Sequence, residues 1–193
     1  PGTPTALVAA RVARIIVESG LLPEGSFQFL CGGARDLAEH LGPQDVLAFT
    51  GSSATGAKLR GQRAVVQHNV RVNIEADSIN PAVLGPDVES GSDTFEQFLA
   101  NLTVDMTQKA GQKCTAVRRI LVPATRIAEV QEALVERLQA VKVGNPLDND
   151  VRMGPVASSS QLRDVRAGSQ QLAEVADVVL GGAAPMPGRG YFV

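Results

Sequence analysis

At 193 residues with 44% hydrophobic residues, the chain is long enough to bury a core, either as one large domain or as two small ones. Its formal net charge is -2, and Lys, Arg, Asp and Glu are interspersed with no basic run, so nothing points to nucleic acid; no apolar run approaches a membrane-spanning length. Cys31 and Cys114 stand far apart with no CxxC and no Cys/His cluster, which argues against a disulfide scaffold and a zinc site and favours a reducing cytoplasm.

Thr5 to Ser19 is predicted as a helix with Val8, Val12, Ile15 and Ile16 on one face against a sheet, Arg11, Arg14 and Glu18 opposite, and Gly20 as its stop. Ser26 to Cys31 reads as a short buried strand, Gly32-Gly33 as a turn, Ala34 to Leu41 as a second helix and Asp45 to Phe49 as another strand. Strands that alternate with helices imply βαβ units and a parallel sheet, in which ligands sit at the carboxyl ends of strands.

That strand leads into Phe49-Thr50-Gly51-Ser52-Ser53-Ala54-Thr55-Gly56. Gly51 permits a close backbone approach and Ser52 or Ser53 can cap the following helix, so free N–H groups and the helix dipole face the space above the strand, where a phosphate would bind. The competing reading is an ordinary strand-to-helix turn, because the pattern is not GxGxxG. Val70 to Glu75 alternates apolar and polar residues and ends on a carboxylate, which either holds a general base rigidly or is simply a solvated Glu. Pro81 to Gly85 starts a further strand, and Gly85 to Asp93 is a polar loop.

Phe95, Phe98, Leu99, Leu102, Met106 and Ala110 follow at helical spacing, and Val117 to Val122 is branched and apolar like a strand. Cys114 therefore falls in a short helix-to-strand connection, where Gly111 can take a positive φ and Lys109 and Lys113 bring positive charge that favours thiolate. This setting suits a nucleophile; a buried structural cysteine in a tight turn is the alternative. Pro123 ends the strand, and an amphipathic helix places Ile127, Val130, Leu134, Leu138 and Val141 opposite Glu129, Glu132, Glu136 and Arg137. Gly144 to Pro155 is turn-rich, Ser158 caps a helix carrying Leu162, Val165 and Leu172, and Asp177 to Leu180 is expected to return as a strand. His40 and His68 have no Ser or Cys partner at motif spacing and carry no catalytic assignment. Pro1-Gly2-Thr3-Pro4 at one end and Gly190-Tyr191-Phe192-Val193 at the other do not resemble finished termini, so an internal fragment of a longer protein is expected.

Phe49-Thr50-Gly51-Ser52 with Gly56, then Glu75, then Gly111-Gln112-Lys113-Cys114, in that order, resemble the aldehyde dehydrogenase superfamily, as do Val143-Gly144-Asn145-Pro146, Met153-Gly154-Pro155 and Gly190-Tyr191-Phe192. Glu75 to Asn80 and Ala110 to Arg119 are most similar to the dehydrogenase domain of the bifunctional phenylacetate-degradation enzymes, in which it is joined to a hydratase domain. The resemblance implies an α/β fold: residues 1–80 as the second half of a Rossmann-type NAD(P)-binding domain, and 81–193 as the first part of the α/β catalytic domain. It implies Cys114 as nucleophile, Glu75 as general base, and Thr3, Thr50, Gly51, Ser52, Gly56 and Ala76 beside the cofactor. Thr3 in place of a carboxylate near the ribose favours NADP, with NAD as the alternative. The family's oxyanion-hole asparagine and ribose-binding lysine have no counterpart here, and most members have Gly-Gly-Lys where this chain has Asp77-Ser78-Ile79.

The implied activity is oxidation of an aldehyde, with a CoA-linked semialdehyde from aromatic-acid breakdown as the expected substrate, to a carboxylic acid in a cytoplasmic homo-oligomer. Two other readings stand beside it. A CoA-acylating enzyme would open the thioester with CoA and has little use for Glu75, and a non-catalytic protein on the same scaffold would show a sluggish thiol.

Overall fold

The computed structural model describes residues 2–33, 36–182 and 189–193. The chain forms two compact units, Pro1–Asp77 and Ser78–Val193.

In the first unit a 3₁₀ turn, Thr3–Thr5, runs into helix α1, Ala6–Glu18. The face of α1 that turns inward is not the one its largest side chains suggest. Val8, Val12 and Ile15 are each at least half exposed, whereas Ala13 is buried and Ala6, Ala9, Ala10 and Ile16 are half-buried on its side of the helix. Small residues at three- and four-residue spacing let the backbone itself approach its neighbours. The expected strand Ser26–Cys31 does not form. Its start is folded into a turn, with the Ser26 N–H donating to the Pro23 carbonyl at 3.2 Å, and no strand pairs with it among the described residues. An extended run without a ladder partner has nowhere to place its backbone groups. The helix expected over Ala34–Leu41 is a 3₁₀ turn, Leu37–His40; Ala34 and Arg35 lie outside the described residues.

The strands β1, Val46–Gly51, and β2, Arg71–Ala76, pair in parallel, with Thr50 opposite Glu75 and Gly51 opposite Ala76. Both strands alternate half-buried Leu47, Phe49, Val72 and Ile74 with exposed neighbours, the period that covers one sheet face. Between them run α2, Ser53–Arg60, and α3, Arg63–Gln67, completing a βαβ crossover. With five residues, α3 is too short to leave a periodic signature, and the sequence reading misses it; Ala64 and Val65 are its buried side.

In the second unit β3, Pro81–Val83, pairs in parallel with β4, Arg119–Leu121. The connection between them carries α4, Asp93–Thr107, whose N terminus is capped by Ser92, the Phe95 N–H donating to its hydroxyl at 3.3 Å. Helix α5, Ile127–Gln139, packs on α4, and Leu84, Phe95, Leu99, Leu102, Val130 and Leu134 form the core. Ser158 caps α6, Ser159–Ala173, as its sequence implies, with the Gln161 N–H at 3.3 Å from its hydroxyl. Asp177–Leu180 is not a strand, and Val178, Val179 and Leu180 stay exposed without a ladder partner among the described residues. Val156 instead pairs antiparallel with Tyr191, which brings Phe192 into a buried position. Parallel strands joined through helices in both units make the chain α/β. Among the described residues no helix is long and apolar enough to cross a membrane.

Candidate functional site

The strand-to-helix turn of the first unit is built around Ser52. Its hydroxyl accepts the Thr55 N–H at 3.2 Å and its carbonyl accepts the Gly56 N–H at 2.9 Å, so α2 starts directly at the end of β1. Gly51 and Gly56 are glycines for different reasons. A Cβ on Gly51 would come within 2.5 Å of the Phe49 ring, whereas Gly56 is buried and a Cβ there would lie 2.7 Å from Cγ2 of Ile74 on β2. Gly56 thus lets α2 sit against β2, the strand that carries Glu75.

Asp77 closes the same corner. It holds a left-handed conformation, φ 55°, which an aspartate tolerates better than most residues, and its N–H donates to the Gly51 carbonyl at 3.2 Å. Its Oδ1 accepts the Ser53 N–H at 3.3 Å, so one carboxylate already rests on the N terminus of α2. Among the described residues the Ala54 N–H meets no protein acceptor, leaving one donor of the first turn free. Thr50 and Glu75 are exposed side by side at the carboxyl ends of the two strands, next to Gly51 and Ala76. Thr3 is exposed within the opening 3₁₀ turn.

In the second unit Cys114 is exposed in the connection between α4 and β4. The descent from α4 is sharper than one glycine would make it. Lys109, Ala110 and Gly111 are consecutively left-handed at φ 55°, 53° and 69°, so the expected helical position of Ala110 gives way to a turn. Two non-glycine residues in that region carry strain, which the surrounding bonds must hold. The Gln112 side chain ties the turn twice, donating to the Lys109 carbonyl at 2.9 Å and accepting the Ala157 N–H at 2.9 Å. Arg118 reaches back to the carbonyls of Gly111 at 3.1 Å and Lys113 at 3.3 Å.

Asp105, on α4, grips both flanks of the cysteine. One oxygen takes the Lys113 ammonium and the other accepts the Val117 N–H at 2.6 Å. The hydrogen bonds from Lys113 and Val117 hold the Asp105 carboxyl below the usual carboxylate range. The ammonium of Lys113 also meets Gln108 Oε1 at 3.0 Å, so its charge is already engaged and does not stand free beside the thiol, as the sequence suggests. On the other side of the loop, Ser78 Oγ and Asn80 Nδ2 donate to the Cys114 carbonyl at 2.5 and 2.7 Å.

Glu75 belongs to the first unit and Cys114 to the second. The sequence reading overlooks Ser78, Asn80 and Asp105. Ser78 and Asn80 leave only a faint trace in the sequence, as polar residues crowded between two strands, and Asp105 leaves none, since an acid on a helix face is most simply solvated. Among the described residues no group of three or more His, Cys, Asp or Glu side chains could hold a metal.

The sequence profile described as "Aldehyde dehydrogenase family" matches residues 1–193. Among curated relatives, the 3,4-dehydroadipyl-CoA semialdehyde dehydrogenase of Aromatoleum evansii is 45% identical over 182 residues, covering 94% of this chain and 35% of that protein. Among solved structures, the Mycobacterium tuberculosis aldehyde dehydrogenase complexed with NAD+ superposes with a TM-score of 0.83 at 28% identity, over 98% of this chain and 38% of that one. A mutant of aldehyde dehydrogenase C from Pseudomonas syringae, complexed with NAD+ and octanal, gives a TM-score of 0.82 at 27% identity, over 95% of this chain and 38% of that one. The chain thus spans little more than a third of the length of these relatives.

Proposed function

The chain belongs to the aldehyde dehydrogenase family, and from that premise we propose that its full-length protein oxidises an aldehyde to a carboxylic acid with NAD(P), through a thioester on Cys114. The observation that carries this reading is an exposed cysteine whose loop is tied on both flanks by Asp105 and at its own carbonyl by Ser78 and Asn80. An inert structural cysteine would ordinarily be buried.

The Cys114 thiolate attacks the aldehyde carbon, forming the S–C bond and leaving an oxyanion that the Cys114 N–H would stabilise. A bound nicotinamide would supply the acceptor for the hydride lost from that carbon, which leaves a thioester on Cys114. Glu75 then takes a proton from water, the hydroxide adds to the thioester carbon, and the C–S bond breaks to return the thiolate and release the acid. For the cofactor, the capped N terminus of α2 and its free Ala54 N–H suit a pyrophosphate oxygen beside Gly51 and Ser52, while the Asp77 carboxylate keeps the Ser53 N–H for the protein. Thr50 and Ala76 would border it at the strand ends, and Gly56 supports it by seating α2. At Thr3 a hydroxyl does not repel a 2′-phosphate, which supports NADP, whereas the superposed relatives hold NAD+. The name of the Aromatoleum relative supports a CoA-linked semialdehyde as substrate. Cytoplasmic location and a homo-oligomeric assembly complete the proposal.

The test is Glu75→Gln in the full-length protein. One equivalent of reduced nicotinamide should form rapidly, followed by slow turnover, because hydride transfer survives while thioester hydrolysis stalls. Loss of burst and steady state together would overturn the role given to Glu75, and CoA-dependent release at the wild-type rate would favour the CoA-acylating alternative.

A further inference from the structure

We propose that Ser78 and Asn80 act as positioning residues that set the orientation of the Cys114 nucleophile; this rests on the reading of Cys114 given above. The Cys114 carbonyl accepts from Ser78 Oγ at 2.5 Å and from Asn80 Nδ2 at 2.7 Å, and Asn80 Nδ2 lies 2.8 Å from Ser78 Oγ, so the three groups close a triangle. A carbonyl oxygen has two lone pairs, and here both are engaged by side chains.

The clamp is itself anchored. The Asn80 carbonyl accepts the Arg118 N–H at 2.8 Å and the Arg119 N–H at 3.3 Å, at the head of the β3–β4 pair, and its amide also reaches the Ala116 carbonyl at 3.5 Å. Ser78 and Asn80 are thus referred to the strands and not to another loop. With the 114–115 peptide plane held from this side, the Lys113 carbonyl held by the Arg118 guanidinium at 3.3 Å and the Val117 N–H held by Asp105, the backbone on each side of Cys114 is restrained. The direction of its N–H and of its Cα–Cβ bond follows from that restraint.

Stability alone is a poor account of this arrangement. Cys114 is exposed, and water could satisfy its carbonyl almost as well as a hydroxyl does, so two direct donors add little folding free energy. What water cannot supply is a fixed direction, and a reacting thiol displaced by about 1 Å can lose a hundredfold in rate. The strained Lys109–Ala110–Gly111 turn needs such a counter-hold, because a loop entered through left-handed residues would otherwise relax.

The experiment compares Ser78→Ala, Ser78→Thr and Asn80→Asp in the full-length protein. Three readouts are taken: the rate of iodoacetamide alkylation at the Cys114 peptide by mass spectrometry, the rate of the reduced-nicotinamide burst, and Tm. Ser78→Ala and Asn80→Asp should each slow alkylation and burst by roughly ten- to a hundredfold, with cofactor KM and Tm little changed. Ser78→Thr, which keeps the hydroxyl, should restore both rates. Wild-type rates in Ser78→Ala would overturn the proposal, and so would a loss that Thr does not restore and that follows a fall in Tm. The nucleophile reading fails separately, through a burst that survives Cys114→Ser.

Discussion

Replacing Gly56 with Ala adds one methyl group at the point where α2 rests on β2, and its consequence can be worked from the contact. The new Cβ would stand 2.7 Å from Ile74 Cγ2, about 0.7 Å inside ordinary van der Waals contact. Ile74 is β-branched, so moving Cγ2 aside takes χ1 out of its well, at about 0.5–1.5 kcal/mol for a 30° departure. Insertion of a methyl into a tight contact typically destabilises by about 1–3 kcal/mol, and Ala offsets roughly 1 kcal/mol through its better helix propensity. A net loss of up to about 2 kcal/mol is therefore expected. The sign should reverse in an Ile74→Ala background, where the nearest remaining atom is the residue 74 Cβ at 3.8 Å. There Gly56→Ala should be neutral or stabilising by up to about 1 kcal/mol, giving a coupling of up to about 3 kcal/mol in a double-mutant cycle. Urea midpoints of the four full-length proteins, followed by far-UV circular dichroism, give the cycle. Equal effects of Gly56→Ala in both backgrounds would refute the argument that Gly56 is required by Ile74.

The remaining expectations concern chemistry and pH. Cys114→Ser should abolish turnover and leave cofactor binding intact, because an alcohol without a dedicated base is a poor nucleophile; undiminished steady-state activity would remove Cys114 from the mechanism. Cys31→Ser, at an exposed loop position, should leave the rate unaltered in the same assay. The Asp105 carboxyl is lowered by its bonds to Lys113 and Val117, so its contribution to stability is present above the ordinary carboxylate pKa of about 4 and is lost as pH falls through its lower folded value. Asp105→Asn should accordingly unfold at lower urea than wild type at neutral pH, with the gap narrowing in acid; a gap independent of pH would contradict the ion pair. Thr3→Glu should shift kcat/KM from NADP towards NAD by on the order of 1–3 kcal/mol, and an unchanged preference would place Thr3 away from the ribose.

Much of the candidate site was legible because it depends on local rules. A serine cap at Ser52 or Ser53, a strand carrying Glu75 near its end, and Cys114 in a helix-to-strand connection each follow from residue type and spacing within about ten positions. The order of the motifs carries the family resemblance, which the profile match over residues 1–193 supports. What was misread depends on partners distant in sequence. Ser26–Cys31 and Asp177–Leu180 have the composition of strands, but a strand exists only where another backbone meets it, and none does among the described residues. The inner face of α1 is its alanine face, since what a helix buries is set by how closely its neighbours approach.

The restraint of the Cys114 loop marks the same boundary. Composition and periodicity by themselves determine that a reactive-looking cysteine follows a helix and precedes a strand, because helix termination and strand propensity are written in adjacent residues. They cannot determine that Lys113 answers to Asp105, or that Ser78 and Asn80 reach across 36 and 34 residues to the Cys114 carbonyl. Those bonds arise only once β3 and β4 are in register and α4 is laid beside them, and side-chain hydrogen bonds act over roughly 3 Å, a distance that sequence separation does not encode.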